Sequence, residues 1–185
     1  MRVFSYATFL VGLALILPAP QSRGGDFKLE DGFKLIFNGK NFDGWQTSKT
    51  KKKETLEGKT ESHKGRFKIV DGGIIAFDAG NAYIETVASY AKDVHFKFDF
   101  RPGPKCNNDI LFRGTKFDIV PGNKENKDVK EGEWYTFELV AKGDTLEHKI
   151  NGKTARTSKA AAKASEFILR AEIGKMDVKN IRVKE

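Results

Sequence analysis

From Val94 to Arg101 the chain alternates without a slip: Val94, Phe96, Phe98 and Phe100 are apolar, His95, Lys97, Asp99 and Arg101 are polar, and Pro102-Gly103-Pro104 ends the run. Successive side chains of a strand point to opposite faces, so this pattern is a half-buried β-strand with its phenylalanines on one core face. Such a strand needs a sheet, and the sheet's apolar face needs a second layer to pack against.

The chain after residue 25 supplies both. Gly32–Asn38 alternates Phe33, Leu35 and Phe37 against Lys34, Ile36 and Asn38, which predicts a strand. Arg66–Val70 leads through Asp71-Gly72-Gly73 into Ile74–Phe77, a hairpin signal. Further runs stand at Asp109–Arg113, Lys116–Val120, Trp134–Ala141 and Thr145–Ile150, separated by turn residues such as Pro121-Gly122-Asn123, Lys142-Gly143-Asp144 and Asn151-Gly152. Turns recurring every roughly 8–12 residues predict an antiparallel β-sandwich or jelly roll. Phe167–Ala171 and Met176–Val183 flank Gly174 and read as a closing hairpin. Only the Ala- and Lys-rich Ser158–Ala164 has helical character, and Ser48–Gly65 reads as a mobile polar loop.

Arg2, the apolar run Val3–Leu17 and the small-residue exit Pro18–Ser22 fit a secretory signal peptide. Its apolar core, about 15 residues, is shorter than the ~20 that span a bilayer. Residues 1–22 are therefore expected to be removed on export to the periplasm, cell envelope or exterior, leaving 23–185 as a single domain with no membrane span. A lone cysteine, Cys106, rules out internal disulfides and reads as a small buried hydrophobe.

The formal net charge of +8 comes from scattered basic residues, with one cluster at Lys49, Lys51, Lys52 and Lys53. That cluster lacks interleaved aromatics, so nucleic acid is not the expected partner, whereas a basic surface favours acidic neighbours. His63, His95 and His148 are not spaced as a metal-ligand set, and no phosphate loop or nucleophile elbow is present. Nor does any strand carry the E-x-D-x-x-E spacing of retaining glucanases.

Blocks along the chain resemble one family in order: G-F-K-L-I-F-N-G-K-N-F-D-G-W at Gly32–Trp45, F-K-I-V-D-G-G-I-I at Phe67–Ile75, A-Y-I-E-T at Ala82–Thr86, C-N-N-D-I-L-F-R at Cys106–Arg113, K-F-D-I-V at Lys116–Val120, G-E-W-Y-T-F-E-L at Gly132–Leu139, I-N-G-K at Ile150–Lys153 and the ending Phe167–Glu185. The family is that of 3-keto-disaccharide hydrolase-like domains, in the concanavalin A-like lectin/glucanase superfamily. The resemblance implies an all-β, concanavalin A-like jelly-roll β-sandwich of two antiparallel sheets whose concave face holds a sugar. It also implies hydrolysis of 3-oxidised glycosides.

A carbonyl at sugar C3 acidifies the neighbouring proton, so the glycosidic bond can break by elimination with later addition of water, given one base and one oxyanion stabiliser. The resemblance implies Asp118 or Glu172 as base and Arg113 as the cation beside the developing charge. Asn107 would bond sugar hydroxyls, and Trp45 or Trp134 would stack on a ring. Each has a structural alternative: an Arg113–Asp118 ion pair, Glu172 paired with Arg182, Asn107 forming a turn, Trp134 in the core. No cofactor or metal is expected, a structural calcium is not placeable, and the domain is expected to be a monomer. The chain departs from the pattern at Asn108 and Asp109, which replace the Ser and Gly of N-S-G, and at Arg170, which replaces a Gln. Only about 15 residues join the Asp118 strand to Glu131, where relatives have a longer cleft wall. A hydrolase leads these expectations, with a lectin-like binding module or a structural envelope protein as alternatives.

Overall fold

The computed structural model describes residues 27–185, so the signal-peptide expectation for 1–22 lies outside the described residues. All of the regular structure described is strand, in two sheets. The larger sheet runs in the order β12 (Lys153–Lys159), β11 (Thr145–Ile150), β10 (Tyr135–Lys142), β7 (Val94–Pro102), β14 (Met176–Lys184), β5 (Ile74–Phe77), β4 (Phe67–Val70) and β3 (Glu61–Ser62), with β1 (Lys34–Leu35) also paired to β14. The smaller runs β2 (Trp45–Thr47), β6 (Ala82–Thr86), β13 (Ile168–Ile173), β8 (Asn107–Phe112) and β9 (Thr115–Ile119). Neighbouring strands are antiparallel in both. Among the described residues no helix is long and apolar enough to cross a membrane.

The alternation in β7 is realised in full: Phe96, Phe98 and Phe100 are buried while His95, Lys97, Asp99 and Arg101 face outward and stay partly exposed. Phe98 stacks on Phe137 of β10 with centroids 5.0 Å apart. Phe96 lies on Phe167 at 4.7 Å and meets Phe112 of β8 edge-on at 5.2 Å, which ties the two sheets together. Burying each such ring contributes about 2–3 kcal/mol. His148 of β11 is drawn into the same layer, stacked on Phe117 of β9 at 5.0 Å. Burial and the nearby Arg156 charge lower its pKa to about 4.

Four local expectations are corrected. β13 and β14 do not form a hairpin, because they belong to different sheets and Gly174 turns the chain across the sandwich edge. Gly174 has φ +67°, and a Cβ there would collide with the Lys105 carbonyl oxygen, so the crossing requires glycine. The 32–38 run forms a strand only at Lys34–Leu35, which pair with β14, while Phe37 turns into the core and the residues just before the strand reach the outer face of the larger sheet. There Glu30 accepts hydrogen bonds from Arg182 at 2.6 and 2.9 Å and pairs with Lys97 at 3.0 Å, while Phe33 packs edge-on against His95 at 5.1 Å. No helix forms over 158–164, since β12 pairs with β11 as far as Lys159 and bends follow it. The polar 48–65 segment is anchored: Leu56 is buried, its amide bonds the Trp45 carbonyl at 2.9 Å, and Lys53 pairs with Glu85.

Candidate functional site

Period two decides what the smaller sheet shows to solvent. Leu169 and Ala171 of β13, Ile110 and Phe112 of β8 and Phe117 and Ile119 of β9 are buried in the core. The residues between them point the other way. The register places Tyr83 (β6), Arg170 (β13), Asp109 (β8) and Asp118 (β9) in one row across four strands. The next row holds Glu85, Ile168, Leu111 and Lys116. A β-bulge after Arg170 lifts Glu172 out of the ladder, and Asn108 Oδ1 accepts its freed amide at 2.8 Å.

The row is a charge network. Arg170 donates to Asp109 at 2.6 Å, pairs with Glu172 at 2.7 Å, reaches Asn81 Oδ1 at 2.8 and 3.0 Å, and lies over the Tyr83 ring at 5.2 Å. Lys116 contacts Asp118 directly and sits 3.8 Å from Asp109. Asp109 is wholly buried, and its Oδ1 has no hydrogen-bond partner among the described residues. Burial, only partly offset by the Arg170 hydrogen bond and reinforced by the adjacent Asp118 carboxylate, pushes its pKa up to about 6. Asp118 is about a third exposed. Burial pushes it upward too, but the hydrogen bond from Lys116, with the Lys116 and Arg156 charges, holds it below the usual carboxylate range. The two acids are thus driven apart, one towards holding a proton and the other towards staying ionised, which is the arrangement that assigns acid and base roles.

Three hydrogen bonds hold the far edge of this row. Arg156 of β12 donates to the Lys116 carbonyl and Asn126 Nδ2 to the Asp118 carbonyl at 2.9 Å, while Asn126 Nδ2 also reaches Asn123 Oδ1 at 2.8 Å. The first two satisfy carbonyls that the unpaired edge of β9 would otherwise expose, and the third fixes the Asn126 side chain that makes one of them.

The 3-keto-alpha-glucoside-1,2-lyase-like domain matches residues 32–125 and 116–184, which is nearly the whole described chain. This chain belongs to that family. No curated protein matches it by sequence. Among solved structures it is similar to a provisionally designated glycosyl hydrolase from Parabacteroides distasonis ATCC 8503, with TM-score 0.66 and 17% identity over 83% of this chain and 93% of the other. It is also similar to a Bacillus licheniformis beta-glucanase, with TM-score 0.56 and 8% identity over 80% and 95%. The carbohydrate binding module CBM66 from Bacillus subtilis gives TM-score 0.54 and 13% identity over 77% and 96%. At these identities the likeness is one of fold: the sandwich is a concanavalin A-like jelly roll.

Within this 3-keto-alpha-glucoside-1,2-lyase-like domain the residues singled out from sequence part company. Asp118, Glu172 and Asn107 lie on the polar face of the smaller sheet, beside Asp109 and Arg170. Arg113 does not join them. It occupies the β8–β9 turn with φ +49°, four residues beyond Asp109, or roughly 13 Å along the strand. Its guanidinium is buried, donating to the Lys92 and Gly143 carbonyls at 2.7 and 3.0 Å, so it braces loops and, among the described residues, pairs with no carboxylate. Trp45 is wholly buried, donates to the Ile36 carbonyl at 2.8 Å and meets Phe167 edge-on. Trp134 lies on the opposite surface of the sandwich, between Arg101 at 4.9 Å and Lys179 at 4.3 Å. Neither indole can stack on a sugar at the carboxylate row, where the aromatic ring is that of Tyr83. Glu172 pairs with Arg170, and Arg182 with Glu30.

Asp109, Arg170, Lys116 and Tyr83 are the residues that sequence reasoning passed over. Asp109 and Arg170 appear there only as departures from the family pattern. They are each other's partner. Two departures of opposite charge, each in step with a residue already singled out (Asn107 and Glu172), were the signal that could have found them. Cys106 is buried, and burial pushes its thiol up to about 11, consistent with a core residue.

Proposed function

We propose that this domain cleaves 3-keto-glycosides on the polar face of its smaller sheet, by elimination followed by addition of water. The observation that carries the reading is Asp118, a third exposed on the polar face, with Lys116 in direct contact and Arg170 bound to the neighbouring Asp109. Asp118 takes the proton from sugar C2, whose acidity the C3 carbonyl raises. The electrons of the C2–H bond form the C2–C3 enolate, and its oxygen, placed towards Lys116 and Arg170, is stabilised by their charges. Collapse of the enolate restores the C3 carbonyl, forms the C1–C2 double bond and expels the C1 oxygen, which takes the proton now shared by the Asp118 and Asp109 carboxyl groups. Water then adds across the double bond, so the net change is hydrolysis. In this reading residues 1–22 direct export, and the domain works as a monomer in the periplasm, envelope or exterior.

One observation favours a binding module instead: Arg170 and Lys116 are each already paired with carboxylates, as on a surface that only holds its ligand. Incubating the purified chain with 3-keto-glycosides and their unoxidised parents separates the readings. The expected result is release of the leaving group from the keto substrates alone, with turnover reduced at least ~100-fold in Asp118→Asn at unchanged fold. Unchanged turnover in that variant would discard the base. Sugar binding without cleavage across the panel would establish the lectin-like module.

A further inference from the structure

Beside the β9 edge, on the flank of the sandwich, lies a groove of about 610 Å³ that the proposed chemistry does not use. One wall is the loop 124–129 between β9 and β10, and the other is the end of the β11–β12 hairpin. Its floor is aliphatic: Val129 is buried, and Ile150 and Ala155 are half-buried. Three lysines, Lys124, Lys127 and Lys153, stand exposed around it, and none has a carboxylate within salt-bridge distance among the described residues. The two acids in the lining do not cancel them, because Glu125 is taken up by Arg156 at 3.3 Å, leaving Asp128 alone against three free ammonium groups.

We propose that this groove is a second binding site, separate from the carboxylate row, for an acidic saccharide: a sugar chain bearing carboxylate or sulfate groups. Volume, floor and charge each bear on the choice. A groove of this size lies within the range that accommodates small-molecule ligands. Sugar rings offer flat C–H surfaces that lie on aliphatic side chains, and a ring of unpaired lysines selects for anions on the same ligand. A single-stranded nucleic acid would bring the negative charge but would need aromatic faces for its bases. Among the described residues the only aromatic lining the groove, Tyr135, is buried at 8% exposure, and its hydroxyl accepts from Lys130 N at 2.9 Å. The same loop is pinned to the strand of the proposed base through Asn126 and Asp118. An acidic chain held here would therefore lie next to the carboxylate row, though the site stands whether or not that row is catalytic.

The test is calorimetric titration of the full chain with an oligogalacturonide, with its neutral methyl ester, and with a single-stranded oligonucleotide as comparison. The oligogalacturonide is expected to bind, to weaken as salt is raised, and to bind at least ~10-fold more tightly than the ester. Lys127→Glu combined with Lys153→Glu should cost at least ~10-fold in that affinity, since each reversal replaces an attraction by a repulsion. Both positions are exposed, so the variant should keep the parent's melting temperature. Lys127→Ala, with a smaller loss in the same direction, serves if the double variant does not fold. Equal binding of acid and ester, no binding of the acid, unchanged affinity in the variants, or tighter binding of the oligonucleotide would each overturn the proposal.

Discussion

Asp109→Asn tests whether the buried acid in the row is held at the expense of stability. The two side chains are nearly isosteric, so what changes is the ability to ionise. In the folded chain the carboxyl titrates at about 6 instead of its ordinary 3.8, because burial outweighs the hydrogen bond from Arg170. A raised acid favours the fold while it is protonated. That contribution is fully present below the unfolded value of 3.8 and is lost as pH rises through about 6. The difference between those values, at 1.36 kcal/mol per pH unit, corresponds to about 3 kcal/mol. Asn carries no such dependence. Urea unfolding of the two proteins between about pH 4 and pH 8 should therefore show the Asn variant gaining on the parent by about 3 kcal/mol, most of it before pH 7. The difference between a neutral carboxyl and an amide at this position shifts the whole curve by a constant, so the slope of the difference is the test. Parallel curves, or a variant that loses ground as pH rises, would mean that the ion pair with Arg170 and not burial governs this carboxyl.

Other expectations follow from the core and the crossing. Phe98→Ala should cost about 3–5 kcal/mol in denaturant unfolding, because the ring is wholly buried between two other phenylalanines, and a parent-like midpoint would refute the packing. His148, lowered to about 4 from 6.5, should make the fold lose up to about 3 kcal/mol as pH falls between those values, since the unfolded chain takes up the proton first. His148→Phe should flatten that acid limb relative to the parent, and a limb of unchanged slope would assign it to other groups. Gly174→Ala should destabilise by about 2–4 kcal/mol, combining the cost of positive φ with the collision at the Lys105 carbonyl, and a neutral outcome would show that the crossing can relax.

The class of fold was legible in the sequence because period two is a local property. The alternation in β7 names its buried face without reference to any neighbour, and regularly spaced turn residues exclude helical architectures. The same counting puts Arg113, Asp118 and Glu172 together on one outward-facing set of positions, and only Asp118 and Glu172 are found there. It failed where geometry depends on what lies across the sandwich. Phe167–Ala171 and Met176–Val183 read as a hairpin because adjacency in sequence usually means adjacency in a sheet, yet the Lys105 backbone packed at Gly174 turns the second strand into the other layer. Arg113 shares its strand's run with Asp109, but the turn's positive φ swings its guanidinium to the Lys92 and Gly143 carbonyls. Trp45 and Trp134 have the chemistry of sugar platforms, and only the layers decide that one lies inside and the other on the far surface. The sequence by itself therefore determined the regularly alternating strands, their faces and the family, but not the short edge strands β1 and β3 or the extent of β12. Tertiary structure decided which charges meet: Arg170 and Asp109 are 61 residues apart in the chain and 2.6 Å apart in space. The register between β13 and β8 that joins them is set by packing of the opposite, apolar face, which no local pattern encodes.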